Sequence, residues 1–258
     1  MDLELAGKRI FITGGSKGIG LACVDAFLAE GAKVAICSRS KENLDRAKAT
    51  RPSLYCVAAD LIDGAAAAAA IDEIESKFGA IDVLVNSAGA AKRVSADDLT
   101  PAFWRDAMDA KFFSYINVID PMIKRMAARG NGVIVNVIGV GGKVASAIHL
   151  AGGSANAALM LATAGLGSAY ASKGVRVVGV SPGLTETERV AEGLAAEVKR
   201  SNITMEQARQ KAVAKLPLGR MATPDEVAAA VVYLSSPKAG YVTGTTLSID
   251  GGMNPVVL

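Results

Sequence analysis

Histidine is almost missing from this chain, and aromatic side chains, cysteine and net charge are scarce. His149 is the single histidine in 258 residues, alongside 1 Trp, 5 Tyr and 6 Phe. With one imidazole, proton chemistry near neutral pH must rest on that residue or on a side chain whose pKa is shifted by its surroundings. The cysteines, Cys23, Cys37 and Cys56, are an odd set of 3 without metal-ligand spacing. That excludes a disulfide framework and a structural zinc site, and leaves them as small core residues. The 28 basic and 25 acidic residues nearly cancel, to +3. With no dense Lys/Arg run, neither nucleic acid nor an anionic membrane is expected as a partner. No apolar run reaches the ~18 residues of a membrane span; the longest, Ala155 to Tyr170, is broken by Gly, Ser and Thr. Met1-Asp2-Leu3-Glu4 lacks a basic stretch followed by an apolar one, so the expectation is a cytoplasmic protein.

What is present is a regular alternation. Short β-branched runs at Arg9–Thr13, Lys33–Cys37, Leu54–Ala58, Val83–Asn86, Val133–Val137, Val175–Ser181 and Thr246–Ile249 read as strands. Most are apolar at successive positions, as strands covered on both faces should be. Between them lie helical stretches: Gly18–Glu30, Glu42–Ala49, Gly64–Phe78, Pro101–Arg129, Ser154–Ser172, Val190–Lys215 and Pro224–Ser235. Ala65–Ala70 is read as a closely packed helix, because Ile71, Ile74 and Phe78 continue its apolar face. The alternation predicts α/β architecture, a doubly wound parallel sheet with right-handed crossovers, in a single domain over 1–258.

The first strand runs into Thr13-Gly14-Gly15-Ser16-Lys17-Gly18-Ile19-Gly20 and then a helix. Glycines there permit a tight turn and close approach of a ligand, and the helix N-terminus offers free N–H groups to a pyrophosphate. Gly14, Ser16, Lys17 and Ile19 are therefore candidate cofactor contacts. The next strand ends Cys37-Ser38-Arg39. An acidic residue there would accept the ribose hydroxyls of NAD, whereas Arg39 with Lys17 offers two cations to a 2′-phosphate. NADP(H) is preferred over NAD(H); solvated surface charge is the plain alternative.

Taken together these segments resemble the short-chain dehydrogenase/reductase family over essentially the whole chain. Asp60-Leu61 resembles the family's adenine-side contact, and Asn86-Ser87-Ala88-Gly89 its Asn-Asn-Ala-Gly segment with one substitution. Asn136, Arg176-Val177, Pro182-Gly183, Thr187 and Asp250-Gly251-Gly252 follow in the family's order. The resemblance implies a Rossmann-like dinucleotide-binding domain. It adds Asp60, Leu61, Asn86, Ala88, Gly89, Pro182, Gly183 and Thr187 to the cofactor contacts, and makes 184–216 a substrate-covering segment. It also implies a homo-oligomer, tetramer or dimer, which suits the stretch 155–172, apolar or small on nearly every face; burial under the lid is the alternative.

The family's chemistry uses Asn, Ser and a Tyr-x-x-x-Lys pair, and here this sequence departs. Ungapped spacing from Pro182-Gly183 places the Tyr at Gly152, the Lys at Asn156 and the Ser at Gly139. The Asn position falls at Lys111, 25 residues from both Asn86 and Asn136. Tyr170-Ala171-Ser172-Lys173 is a decoy, with the wrong internal spacing and a place at a helix end. Lys111 and Asn156 read as a reciprocal exchange that keeps one ammonium and one amide in the site. Lys111 would then tune a proton donor or bind substrate oxygen, unless it merely faces solvent. His149, three residues before Gly152, would share a helix face with it and could replace the phenol as general acid, unless it is a solvated loop residue. Lys111, His149 and Asn156 are the candidate catalytic residues. The expected function is NADP(H)-dependent oxidation or reduction of a small-molecule carbonyl/alcohol pair through a non-standard site, and no metal site is expected. The alternatives are a non-catalytic NADP(H)-binding sensor or structural subunit, and a non-redox enzyme on the same scaffold.

Overall fold

The computed structural model describes residues 1–89 and 93–255. Seven parallel strands form one sheet in the order β3-β2-β1-β4-β5-β6-β7. They are β1 Arg9–Thr13, β2 Lys33–Ser38, β3 Tyr55–Ala58, β4 Val83–Asn86, β5 Gly132–Val137, β6 Val175–Pro182 and β7 Thr246–Ile249. β1 is flanked by β2 on one side and β4 on the other, in register Thr13↔Cys37 and Thr13↔Asn86. The chain order reverses at that point, so the connections leaving the carboxyl ends of β1 and β4 diverge and open a crevice. The sheet is covered on both faces, as the continuous apolar runs required.

On one face α1 (Gly18–Ala29) packs with the late helix α9 (Pro224–Ser235), around Ile10, Ile12, Val34, Val85, Val178 and Val231. On the other lie α3 (Gly64–Phe78) and the helices that follow β4, around Phe11, Leu84, Ile119, Ile134 and Leu159. α2 (Lys41–Ala49) is capped by Ser40, whose hydroxyl accepts from the Asn43 N–H at 3.1 Å.

Three helix expectations are corrected. The single helix expected over 101–129 is α4 (Pro101–Ala107), a π turn at Met108–Phe113, and α5 (Ser114–Arg129). The wide turn loosens two carbonyls, and the Ser114 hydroxyl donates to both, Ala110 O at 3.1 Å and Lys111 O at 3.3 Å. The expected helix 190–215 is two, α7 (Glu188–Ser201) and α8 (Met205–Val213). Asn202 turns the chain at φ 48°, and Thr204 with Gln207 forms a capping box that starts the second helix. The helix expected from Ser154 begins earlier, as α6 (Leu150–Ala171), with His149 at its N-cap. Among the described residues no helix is long and apolar enough to cross a membrane.

Candidate functional site

The crevice at the carboxyl ends of the strands is a cavity of about 820 Å³. Of the sequence-predicted residues, Gly14, Ser16, Lys17, Ile19, Arg39, Asp60, Leu61, Ala88, Gly89, Lys111, His149, Asn156, Pro182 and Thr187 all form its wall. Asn86 and Gly183 do not. The Asn86 side chain is fully buried beneath the crevice, and the Gly183 N–H is spent on Ile249 O at 3.0 Å.

At the nucleotide end the fit depends on missing side chains. A Cβ on Gly14, which sits at φ 67°, would lie 2.8 Å from the Ala88 Cα, and one on Gly20 would lie 2.3 Å from the Gly14 carbonyl oxygen. Only glycine lets the loop, the start of α1 and the 86–89 segment meet this closely. Thr13 holds the third of these in place: its hydroxyl accepts from the N–H groups of Ser87 at 3.1 Å and Ala88 at 3.2 Å. The open N-terminus of α1, whose N-cap Lys17 makes no side-chain cap bond, faces the cavity with free N–H groups. Ser38, Arg39, Ser40 and Asn43 surround the far end, where a ribose phosphate would lie. Lys17 is paired only loosely, with Glu188 at 3.7 Å, both side chains being more than half exposed. Such a contact is worth little and leaves Lys17 available. This end therefore fits an adenine dinucleotide carrying a 2′-phosphate.

Asn86 belongs to a buried relay instead. Its amide donates to Asn136 Oδ1 at 3.0 Å, the Asn136 amide donates to the Thr163 hydroxyl at 3.0 Å, and that hydroxyl donates to Leu159 O at 2.7 Å. The relay ties β4 and β5 to α6. Asn156, Leu159 and Thr163 share one face of α6 at helical spacing, so the face that the relay holds against β5 also carries Asn156 to the crevice.

The other end is built from Lys111, Gly139, His149, Gly152 and Asn156, all on one wall. Lys111 does not face open solvent. Its Nζ donates to the Tyr115 hydroxyl at 2.7 Å and to Val137 O at 2.9 Å, while the Tyr115 hydroxyl donates to the same carbonyl at 2.7 Å. Burial, with the Arg189 guanidinium as a smaller cause, pushes the Lys111 ammonium down to about 7. Burial pushes the Tyr115 phenol up, so it stays protonated. An ammonium has three donors; two are committed, leaving one for the cavity that Lys111 lines. Tyr115 was missed from sequence, although Lys111-x-x-x-Tyr115 has helix-neighbour spacing that could have flagged it.

His149 is not on a helix face with Gly152, because the helix begins one residue later. As N-cap its carbonyl accepts from the Gly153 N–H at 2.8 Å. Its ring packs where Gly141 leaves space, a Cβ there lying 3.1 Å from the His149 Cδ2. Burial first, then the charges of Arg93, Arg189 and Lys111, lower the imidazole below its ordinary pKa, so it is neutral at pH 7. Its Nδ1 and the Asn156 Oδ1 are buried without a partner. A ligand with polar hydrogens would satisfy them. Tyr170 lies near the far end of α6, about 21 Å of helix beyond Asn156, and Lys173 just past that end sets its ammonium over the phenol ring at 4.7 Å. Cys37 also touches the cavity, but burial raises its thiol to about 12, which leaves it inert.

Comparison with known proteins matches the family described as enoyl-(acyl carrier protein) reductase over residues 14–254. The chain is similar to 2-(S)-hydroxypropyl-CoM dehydrogenase 3 of Xanthobacter autotrophicus, 34% identical over 260 residues, covering 99% of this chain and 100% of the relative. It is similar to D-threitol dehydrogenase of Mycolicibacterium smegmatis, 32% identical over 256 residues, covering 97% and 94%. Its fold matches the crystal structure of L-sorbose reductase from Gluconobacter frateurii complexed with NADPH and L-sorbose, with TM-score 0.94, 26% identity and full coverage of both chains.

Proposed function

This chain belongs to the short-chain dehydrogenase/reductase family, and from that premise we propose that it is an NADP(H)-dependent oxidoreductase working on a carbonyl/alcohol pair through an altered site. Arg39 and Lys17 at the nucleotide end support the choice of NADP(H), as does the NADPH held by the sorbose reductase of the same fold. When bound, the cofactor supplies or accepts the hydride. The chain's part is to hold the substrate oxygen and move a proton to or from it.

The observation that carries this reading is the Lys111 ammonium, fixed by Tyr115 and Val137 O and brought to about 7 beside the cavity. As negative charge grows on a carbonyl oxygen during reduction, the free Nζ proton passes to that oxygen, and the neutral amine left behind is tolerated because the site is buried. A general acid works best with a pKa near the working pH. The Asn156 amide orients the substrate: Nδ2 donates to a carbonyl oxygen and Oδ1 accepts from a hydroxyl. Neutral His149 adds a second hydrogen bond. Glycine at 139 and 152 removes the hydroxyl and phenol that the family pattern places there, and makes room. The segment 184–216, containing α7 and α8, covers the substrate, with Thr187, Arg189 and Glu192 on the cavity wall.

The protein is cytoplasmic in this reading and assembles with copies of itself. Ser154, Ala157, Leu161, Ala164, Gly165 and Ser168 of α6 are exposed, Leu161 to 77%, so the fold itself leaves that face uncovered. The second reading, a protein that binds NADP(H) without turnover, draws on the same two glycines. Stopped-flow oxidation of NADPH across a carbonyl panel separates them. Turnover is expected, and Lys111→Met should lower kcat/KM about 100- to 10,000-fold, the usual worth of a general acid, while NADPH affinity changes little. Tight NADPH binding with no oxidation anywhere in the panel would favour the second reading.

A further inference from the structure

Beyond the reacting oxygen, the substrate end of the cavity is cationic in a way that proton transfer does not require. Arg189, in the first turn of α7, lines the cavity beside Lys111, and its Nη2 donates to the Gly89 carbonyl oxygen at 3.2 Å. Arg93 is not on the cavity wall but lies near enough to His149 for its charge to act there. The Val94 N–H donates to Ile148 O at 3.1 Å, which holds the residue before Val94 against the segment leading into His149. Among the described residues, the ion pairs of this protein involve other side chains; Lys111, Arg93 and Arg189 form none.

Carboxylates on the cavity wall do not balance them. Asp60 lies at the adenosine end and accepts from the Ile62 N–H at 3.1 Å, and Glu188 faces Lys17. Glu192 alone remains on the wall against Lys111 and Arg189, with the charge of Arg93 added from beyond the wall. The fields of Arg93, Arg189 and Lys111 all reach the half-buried His149 ring and lower its proton affinity, so the three charges converge on one spot. Arg93 and Arg189 are exposed, at the mouth of the cavity that Lys111 lines deeper in, and like charges gathered there repel one another until a ligand of opposite charge neutralises them. The dinucleotide's phosphates are served elsewhere, by the glycine loop, Lys17 and Arg39.

We propose that the substrate is a carboxylate-bearing ketone or alcohol, whose carboxylate sits between Arg189 and Arg93 while its reacting oxygen meets Lys111. This rests on the oxidoreductase reading above. A guanidinium presents paired N–H donors that match both carboxylate oxygens, and it keeps its charge at any working pH. The same field repels cationic substrates, amines and iminium ions included. Specificity here comes from charge at the cavity mouth, in a site whose glycines offer little shape.

Matched keto acids and their methyl esters test this: 4-oxopentanoate and 6-oxoheptanoate against the corresponding esters, with NADPH and the full chain. The acids should be preferred at least tenfold in kcat/KM, mainly through KM. Arg189→Gln should bring the acid-to-ester ratio towards one, Arg189→Lys should restore part of it, and Arg93→Gln should act in the same direction more weakly. The NADPH dissociation constant, read by fluorescence titration, should move less than threefold in Arg189→Gln. Calorimetric binding of 4-oxopentanoate to the enzyme–NADP+ complex gives a readout independent of turnover. Equal turnover of acid and ester overturns the carboxylate proposal and leaves the oxidoreductase reading standing. Acid binding that depends on Arg189, without turnover of any ketone, supports the carboxylate site and sinks the oxidoreductase reading. Absence of both turnover and acid binding overturns the proposal. So does loss of NADPH affinity in Arg189→Gln as large as the loss for the acid.

Discussion

The two ends of the crevice are built on different principles. At the nucleotide end the chain itself is the binding surface: a loop between β1 and α1 whose fit depends on Gly14 and Gly20 having no side chains. At the substrate end the surface is made of side chains from distant segments, Lys111 on a π turn, Asn156 on α6, His149 before it and Arg189 after β6. Backbone surfaces tolerate little change, because a single Cβ collides with main chain that cannot move. Side-chain surfaces can be rewritten, because each contributor can be exchanged while its element keeps its place. The glycine loop accordingly keeps a recognisable pattern here, while the reading proposed above puts other residues where the family pattern has Asn, Ser, Tyr and Lys.

The sharpest way to break this contrast is Gly20→Ala. The added Cβ would meet the Gly14 carbonyl oxygen at 2.3 Å, so the loop must shift, and NADPH affinity should fall about 100-fold, or ~2.7 kcal/mol, with a lowered melting temperature. Fluorescence titration and thermal melting read both; near-normal affinity would show that the loop is not the rigid surface described. Next comes Arg39→Ala, a side-chain change at the same end. Loss of a charge-assisted phosphate contact should reduce the NADPH-over-NADH preference about tenfold, roughly 1.4 kcal/mol, without altering the fold. An unchanged preference would assign the 2′-phosphate to other groups.

The smallest effect expected is that of Tyr115→Phe at the substrate end. It removes one of the two acceptors of the Lys111 ammonium and leaves Val137 O, so kcat/KM should fall a few-fold with NADPH affinity unchanged. Its companion is a pH measurement. Burial brings the Lys111 ammonium to about 7 in the folded protein, against an ordinary value of 10.5. Between these values the unfolded chain binds more protons, so stability should rise with pH through that window. The penalty is fully present below about 7 and gone above the unfolded value. Tyr115, Arg189 and His149 are the titratable or charged groups facing it, and none supplies a negative charge at neutral pH. Lys111→Met should flatten the rise in melting temperature between pH 7 and 9; the same slope in both proteins would show that Lys111 is not buried as a charge.

Much of this protein was legible in its residues. The seven strands fall within one residue of their expected bounds, and the glycine loop lies where a strand meets a helix. The uneven parts are those with no local period. A π turn inside an apolar helical stretch leaves Ala107 to Ser114 looking like any helix, and the break after Ser201 rests on Asn202 in a left-handed conformation that its neighbours do not demand. Asn86 looked like a cofactor ligand from its motif, yet its amide is consumed by Asn136 within the sheet. A short motif shows which residues travel together; the direction each side chain takes depends on the strand next to it.

By itself, then, the sequence determined the doubly wound parallel sheet and the position of the nucleotide loop, because strand runs, helix periodicity and glycine spacing are set by interactions between near neighbours in the chain. Tertiary structure decided the chemistry. Lys111 has a shifted pKa because it is packed against Tyr115 and Val137, 26 residues from the carbonyl it bonds. Burial first, and then the charges of Arg93, Arg189 and Lys111 from separate segments, hold the His149 imidazole below its ordinary pKa. Burial and the Coulomb field depend on distance in space, and no spacing along the chain encodes them.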